Sequence, residues 1–368
     1  MPIDLGGSVV TSIGIPAYAA LRARLGLPAR EIRTMETVQQ IAFVDEDVME
    51  ALGADVVPVF ANALPGPPPG DSFKDDFGAT LRRPPGGLYY DWQEFPLPEP
   101  SIEALDRMPW PDPADPARYR GLRERVMKLR SSTDRALFGM APCGHDLLNQ
   151  LFRVRGMEAG LIDCIANQEF AEAFLERLTL TIISAQERFL AEVGDLIDVH
   201  FAADDLGGQT GPLIAPATWR ALVRPRQARI MAAIRAGTTA RIVYHSCGAI
   251  SELLPNLIDI GVDAINPVQV AAAGMDTREL KKRFGARLSF WGGGCDTQRV
   301  LPRGTPAEVR AEVERRIADL APGGGFVFTP VHNIQPGVPA ANIVEAFATA
   351  RKAGTYPLDG NARGGMRA

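Results

Sequence analysis

Cysteine is scarce in this 368-residue chain: Cys143, Cys164, Cys247 and Cys295 are the only four, and they stand far apart. Such a set does not make a disulfide framework, and a reducing, cytoplasmic setting is the expectation that follows. Positive charge is not clustered and the net charge is −5, so the electrostatic footprint of a nucleic-acid binder is missing. No run of eighteen apolar residues occurs, and no membrane span is expected. The apolar stretch from Ser8 to Ala20 has no basic segment ahead of it and is interrupted by Pro16, unlike a signal peptide. No internal repeat is evident. The glycine runs Gly292–Gly294 and Gly323–Gly325 lack a following Lys-Ser/Thr, so they read as tight turns rather than phosphate cradles.

What is present is apolar residues in ordinary proportion, 46%, enough for one large α/β barrel or two smaller domains. From residue 136 onward, strand-like apolar runs alternate with segments of helical period. The strands are expected at Ala136–Ala141, Leu196–Ala203, Arg241–His245, Ala264–Asn266, Leu288–Trp291 and Phe326–Pro330. Between and after them, helices are expected at Phe152–Cys164, Glu169–Val193, Pro216–Arg235, Ile250–Ile260, Arg278–Phe284 and Ala340–Ala353. Another helix is opened by a capping box, Thr305-Pro306-Ala307-Glu308. Further upstream the pattern predicts helices over Pro16–Leu25 and Met35–Leu52, a strand at Val56–Phe60, and a helix near Pro116–Ser131.

Residues 61–116 differ in texture, being rich in proline yet carrying Tyr89, Trp92, Phe95 and Trp110. Aromatics suit an ordered excursion rather than a linker, with Asp75–Thr80 and Gly87–Asp91 forming a hairpin over a barrel mouth. Seven or eight alternations argue for a parallel α/β fold, a (β/α)8 TIM-like barrel first and a doubly wound sheet second. The organisation expected is a single barrel domain over 1–358, with an N-terminal helical segment over 1–54 and a flexible tail over 359–368.

Parallel barrel strands deliver their C-terminal ends to one mouth, so residues far apart in sequence can converge there. Asp204 and Asp205, His245 and Cys247, Asn266, Cys295 and Asp296, and His332 and Asn333 all stand at expected strand ends. Asn266 reads as a turn residue, and Cys143 and Cys164 as small buried hydrophobes. Alternate residues of an extended strand point the same way, so His245 and Cys247 offer an imidazole and a thiolate side by side, two ligands suited to zinc. Catalytic zinc takes three protein ligands and keeps a fourth position open. Cys295 or His332 would complete the count. The competing reading is a core histidine beside an inert thiol. Asp204 and Asp205 either cap the loop that follows them or take part in the chemistry, as His332 also can.

On these residues the chain resembles the uroporphyrinogen decarboxylase superfamily. The resemblance is carried by Gly139-Met140-Ala141-Pro142, Arg155-Gly156-Met157-Glu158, Asp204-Asp205-Leu206-Gly207-Gly208-Gln209, His245-Ser246-Cys247-Gly248, Gly304–Val309 and Pro330-Val331-His332-Asn333-Ile334, and it spans nearly the whole length. It implies a (β/α)8 barrel with one of two chemistries. One branch decarboxylates uroporphyrinogen without a cofactor; the other comprises zinc methyltransferases that exchange a methyl group with a corrinoid protein. The H-x-C pair resembles the first two zinc ligands of the methyltransferase branch, while His332 stands where that branch usually has a cysteine and the decarboxylases a histidine. The arginine-rich N-terminal segment of the decarboxylases is missing. The corrinoid-binding pattern D-x-H-x-x-G is also missing, since Asp198-Val199-His200 is followed by Ala203. The resemblance therefore implies a methyltransferase or demethylase that binds zinc, acts on a small thiol or methyl ether, and meets its corrinoid on a partner protein. A homodimer is left open.

Overall fold

A computed structural model describes residues 1–64 and 70–358, and the chain divides into two compact units. One comprises residues 1–36, 41–56 and 264 onward; the other comprises 37–40 and 57–263. The proline run Pro65–Pro69 and the expected tail from Asp359 lie outside the described residues.

Seven parallel strands carry the architecture: β1 (Val56–Phe60), β2 (Ala136–Met140), β3 (Val199–Ala203), β4 (Arg241–His245), β5 (Ala264–Asn266), β6 (Ser289–Trp291) and β7 (Phe326–Val327). In the larger unit β2 pairs with β3 and β3 with β4, the latter in register from Arg241↔Val199 to His245↔Ala203. All five residues of β3 are buried, as expected of parallel strands covered on both faces. In the other unit β5 pairs with β6, and β6 with β7. The N-terminus adds a position that the sequence pattern did not suggest. Ile3 forms a parallel bridge with Phe328, its carbonyl accepts from the Asp55 amide, and its own amide donates to the Asp55 carboxylate. Residues 2–4 thus run parallel to the end of β7 and are tied to Asp55 on their other side. Strands alternating with helices in this order define an α/β fold of the TIM-barrel type.

The helix expected near Pro116–Ser131 is a 3-10 turn, Pro116–Arg118, followed by a helix over Leu122–Ser132, and Ile250–Ile260 is shortened to Leu254–Asp259; three others differ more, each for a local reason. Met35–Leu52 is helical only over Glu46–Leu52, while Thr34–Glu36 and Ile41–Ala42 are short antiparallel strands. Here β-branched Thr34 and Ile41 favour extension, and the expected stop at Gly53 holds, with φ 73. Phe152–Cys164 is two helices, Leu148–Arg155 and Met157–Ala166, broken at Gly156 with φ 84 and ψ 148. The break lets buried Arg155 fold back onto buried Asp163 (Nε–Oδ2 2.6 Å) and reach the Leu97 carbonyl (2.6 Å). Pro216–Arg235 is likewise divided into Pro216–Leu222 and Arg224–Gly237, because Pro225 lacks the amide needed to continue the first helix. By contrast, the long helix runs from Gln168 to Val193, and the Thr305–Glu308 capping box is present in both directions.

The excursion is an antiparallel three-stranded sheet, Ser72–Lys74, Thr80–Arg82 and Asp91–Glu94. Asp75–Ala79, expected as part of a hairpin strand, is instead its turn, with the Asp75 carboxylate accepting the amides of Phe77 and Ala79.

Candidate metal centre

Because β3 and β4 are neighbours in register, the loops after Ala203 and His245 leave side by side. Four hydrogen bonds join them. The Asp204 amide donates to the His245 carbonyl (3.0 Å), Leu206 N to Ser246 Oγ (3.0 Å), Cys247 N to Asp205 Oδ1 (2.8 Å), and Ala249 N to the Gly208 carbonyl (2.8 Å). The loops touch backbone to backbone. Gly248 has φ +91, and a Cβ there would lie 2.2 Å from the Gly207 carbonyl group. A Cβ on Gly207 would meet Ala249 N and Cys247 O at 2.9 Å. These glycines let the two loops close on one another, which fixes Asp205 relative to Cys247.

His245 Nε2 and Cys247 Sγ are 3.6 Å apart. Two ligands on one tetrahedral zinc, at roughly 2.0–2.1 Å for nitrogen and 2.3 Å for sulfur, would be about 3.6 Å apart. The observed pair therefore fits a shared ion. His245 is buried and stacks on Phe201, with ring centroids 6.3 Å apart. Burial, and then neighbouring Asp205, push the Cys247 thiol well above its ordinary 9.0. It stays protonated until a cation displaces the proton. Asp205 Oδ1 is also 3.6 Å from His245 Nε2.

Asp204 points elsewhere. Only 1% exposed, it accepts the amides of Leu148 (3.0 and 3.1 Å) and Asn149 (3.1 Å) at the start of the Leu148–Arg155 helix, and the Gln227 amide at 3.3 Å. Gln227 also donates to Tyr244 Oη at 2.6 Å. Burial, reinforced by Asp146, raises the Asp204 carboxyl well above its usual range despite these donors.

Asp146, which the sequence pattern did not single out, belongs to the same neighbourhood. Its carboxylate pairs with Arg153 at 3.3 Å, and its pKa is raised by burial and by Asp205 but lowered by Arg153 and His245. Burial holds nearby His145 neutral, with its pKa lowered to about 4. The available signal was Gly144-His145-Asp146 just past β2, a polar cluster at a parallel strand end like the others.

The remaining candidates are in the other unit. Cys295 is 0% exposed, and burial raises its thiol far above the ordinary range. Its loop is pinned by Gly294 N donating to Thr329 O (2.9 Å) and by Val331 N donating to Cys295 O (3.0 Å). His332 is half-buried, four residues beyond Phe328 of the Ile3–Phe328 bridge. The side chain of its neighbour Asn333 accepts the Ser12 amide and donates to the Val9 carbonyl, both at 2.8 Å, which ties this position to residues 9–12. Cys143 and Cys164 are buried thiols, each pushed up to about 11 by burial, which suits apolar packing.

A parallel α/β barrel with chemistry-bearing residues on the loops after its strands defines a class that hosts many enzymes. Within that class, residues 84–353 match the model of the uroporphyrinogen decarboxylase (URO-D) family, and the chain belongs to that family. A curated relative, the uroporphyrinogen decarboxylase of Alkalilimnicola ehrlichii, is 23% identical over 88% of this chain and 83% of its own. Among solved structures, a methyltransferase from Methanosarcina mazei superposes with a TM-score of 0.60 at 16% identity, covering 92% of this chain and 98% of that one. That similarity is one of fold.

Proposed function

We propose that the protein is a methyltransferase or demethylase that uses zinc and moves a methyl group between a small thiol or methyl ether and a corrinoid carried by a separate protein. The observation that carries this reading is the 3.6 Å spacing of His245 Nε2 and Cys247 Sγ on a loop pair brought into backbone contact at Gly207 and Gly248. Bound there, zinc would supply a Lewis acid able to keep a substrate thiol as thiolate or to polarise an ether oxygen. His245 and Cys247 would hold it. His332 is proposed as the third ligand in preference to Cys295, because its side chain is only half-buried whereas the Cys295 thiol is sealed in its unit. Asp204 is proposed to act indirectly, by fixing the start of the Leu148–Arg155 helix that carries Arg153 beside Asp146. The methyltransferase name of the Methanosarcina structure agrees with this reading.

The corrinoid is assigned to a partner because the chain lacks D-x-H-x-x-G. A cytoplasmic location is part of the proposal; among the described residues no helix is long and apolar enough to cross a membrane. Metal analysis of untagged protein tests the reading, with about one zinc per chain expected. Metal-free wild type, or equal zinc in Cys247→Ala, would overturn it.

A second reading is a cofactor-free decarboxylase acting on uroporphyrinogen. It is favoured by the name of the curated relative and by three carboxylates, Asp146, Asp204 and Asp205, grouped within one unit. Formation of coproporphyrinogen by metal-free enzyme would establish it. Its absence at high enzyme concentration argues against it.

A further inference from the structure

We propose that the groove between the short helix Val300–Arg303 and the helix Pro306–Leu320 is a binding site for an organic phosphate, sharing no residue with the metal centre. The groove measures about 540 Å³, within the range of small-molecule sites. Arg299 and Arg303 line it from the short helix and Arg315 from the long one, while Val300, Gly304 and Ala311 supply apolar surface. Arg299 and Arg303 stand one turn apart, the Arg303 amide donating to the Arg299 carbonyl at 3.0 Å. Like charges at this spacing repel on a helix surface. Neither side chain has a hydrogen-bond or ion-pair partner among the described residues.

The two carboxylates that line the groove are already committed. Buried Glu312 is shared by Arg315 and Arg316, the latter at 2.7 Å, so its single charge cannot balance both. Glu308 Oε2 accepts the Thr305 amide (2.7 Å) and hydroxyl (2.9 Å). A local excess of positive charge remains, in a chain whose net charge is −5. The short helix that carries it is also held in place. Asn342 Nδ2 donates to the carbonyls of Leu301 (2.9 Å) and Gly304 (2.8 Å), and the Leu301 amide donates to the Asp296 carbonyl (2.9 Å). A Cβ on Gly304 would lie 2.6 Å from the Val300 carbonyl oxygen and 3.5 Å from Glu308, so a side chain there would force the turn between the helices apart. A phosphate monoester matches this set. Its oxygens accept from several guanidinium forks at once, where a lone carboxylate is satisfied by one. Its organic part would cover Val300 and Ala311, surface that a bare inorganic ion leaves open.

Isothermal titration of the full chain tests this, with phenyl phosphate and inorganic phosphate as probes in a phosphate-free buffer. Wild type is expected to bind phenyl phosphate at one saturable site, and more tightly than inorganic phosphate. Arg299→Ala/Arg303→Ala should bind it at least about tenfold more weakly, the loss of one or two charge-assisted hydrogen bonds. Arg299→Lys/Arg303→Lys keeps the charge but loses the planar forks, and should also bind several-fold more weakly. Ala311→Glu adds a carboxylate at an exposed helix position that tolerates it; binding should weaken while thermal unfolding stays unchanged. Cys247→Ala should bind phenyl phosphate as wild type does, whether or not the zinc reading holds. The inference is overturned by wild type that shows no saturable binding, or by undiminished affinity in either arginine variant or in Ala311→Glu. Loss of affinity in Cys247→Ala would place the probe at the metal centre and overturn it too. Inorganic phosphate bound as tightly as phenyl phosphate would overturn the ligand class, leaving an adventitious ion only.

Discussion

Cys247 and Cys295 stand in matching places, each just past a parallel strand and each beside a glycine-rich turn, yet their surroundings differ in kind. Cys247 is partly exposed, 3.6 Å from an imidazole nitrogen, with its amide tied to a carboxylate. Cys295 is sealed beside Glu312, Asp296 and Arg316, and its loop is tied to residues 329–331 through backbone groups. On the proposed reading, strand-end position alone is therefore not enough to make a metal ligand. What the neighbouring loop contributes decides, and for Cys247 that loop brings Asp205 through the Gly207–Gly248 contact.

The sharpest break of this comparison is a pair of single variants. Cys247→Ala is expected to weaken zinc binding by about 100-fold or more, roughly 3 kcal/mol for one ligand of a four-ligand site. Cys295→Ala is expected to leave it unchanged. Isothermal titration or chelator competition on both proteins reads the difference; equal losses would erase the distinction drawn here.

Next in size is Gly248→Ala. The added methyl meets the Gly207 carbonyl group, and φ +91 is strained for alanine, so about 2–3 kcal/mol of stability should be lost. Zinc affinity should drop with it, because the loops must part to admit the methyl. Thermal unfolding with and without zinc checks this. Gly26→Ala is the control: it too has positive φ, but no atom lies within 4 Å of its Cβ position. It should cost only the backbone strain and leave the metal untouched.

A third test uses pH. Burial and Asp205 keep the Cys247 thiol protonated well above its ordinary 9.0, and zinc must displace that proton. Below the thiol pKa, apparent zinc affinity should therefore fall about tenfold for each unit the pH drops, from this proton alone. Cys247→Ala should lose the neutral-range slope and Cys295→Ala keep it. Proton release measured on zinc addition near neutrality is an independent check.

Much of this was legible from residues alone. The H-x-C pair after a strand, the acidic pair at the end of β3 and the capping box at Thr305 all follow from period and position. What was not legible depends on contacts across sequence distance. Nothing near Gly248 in the sequence shows that it must pass within touching range of Gly207, forty-one residues earlier. Ile3 gave no strand signal because a stretch paired by an isolated bridge needs no apolar alternation of its own. The helix breaks at Gly156 and Val223 were hidden because apolar period continues across them; one glycine torsion and one missing proline amide outweigh the pattern. Asp146 was passed over because its significance comes from Arg153 and Asp205, which only the fold brings to it.

The smallest effect is the stability of the Cys295 variant, and it probes the comparison from the other side. If Cys295 is packing rather than chemistry, Cys295→Ala removes one buried sulfur from a fully enclosed place, costing about 1 kcal/mol through lost contacts and a small void. Cys295→Ser keeps the volume but puts a hydroxyl into the same enclosure, so it should cost more than alanine unless the hydroxyl finds an acceptor. A ligand would give the opposite order in zinc, because serine retains a donor atom where alanine has none. Chemical denaturation of the two variants, with and without zinc, therefore distinguishes the roles by rank alone. Alanine more stable than serine in both conditions fits a packed thiol. A reversal that appears only when zinc is added would make Cys295 a metal ligand after all and displace His332 from the proposed set.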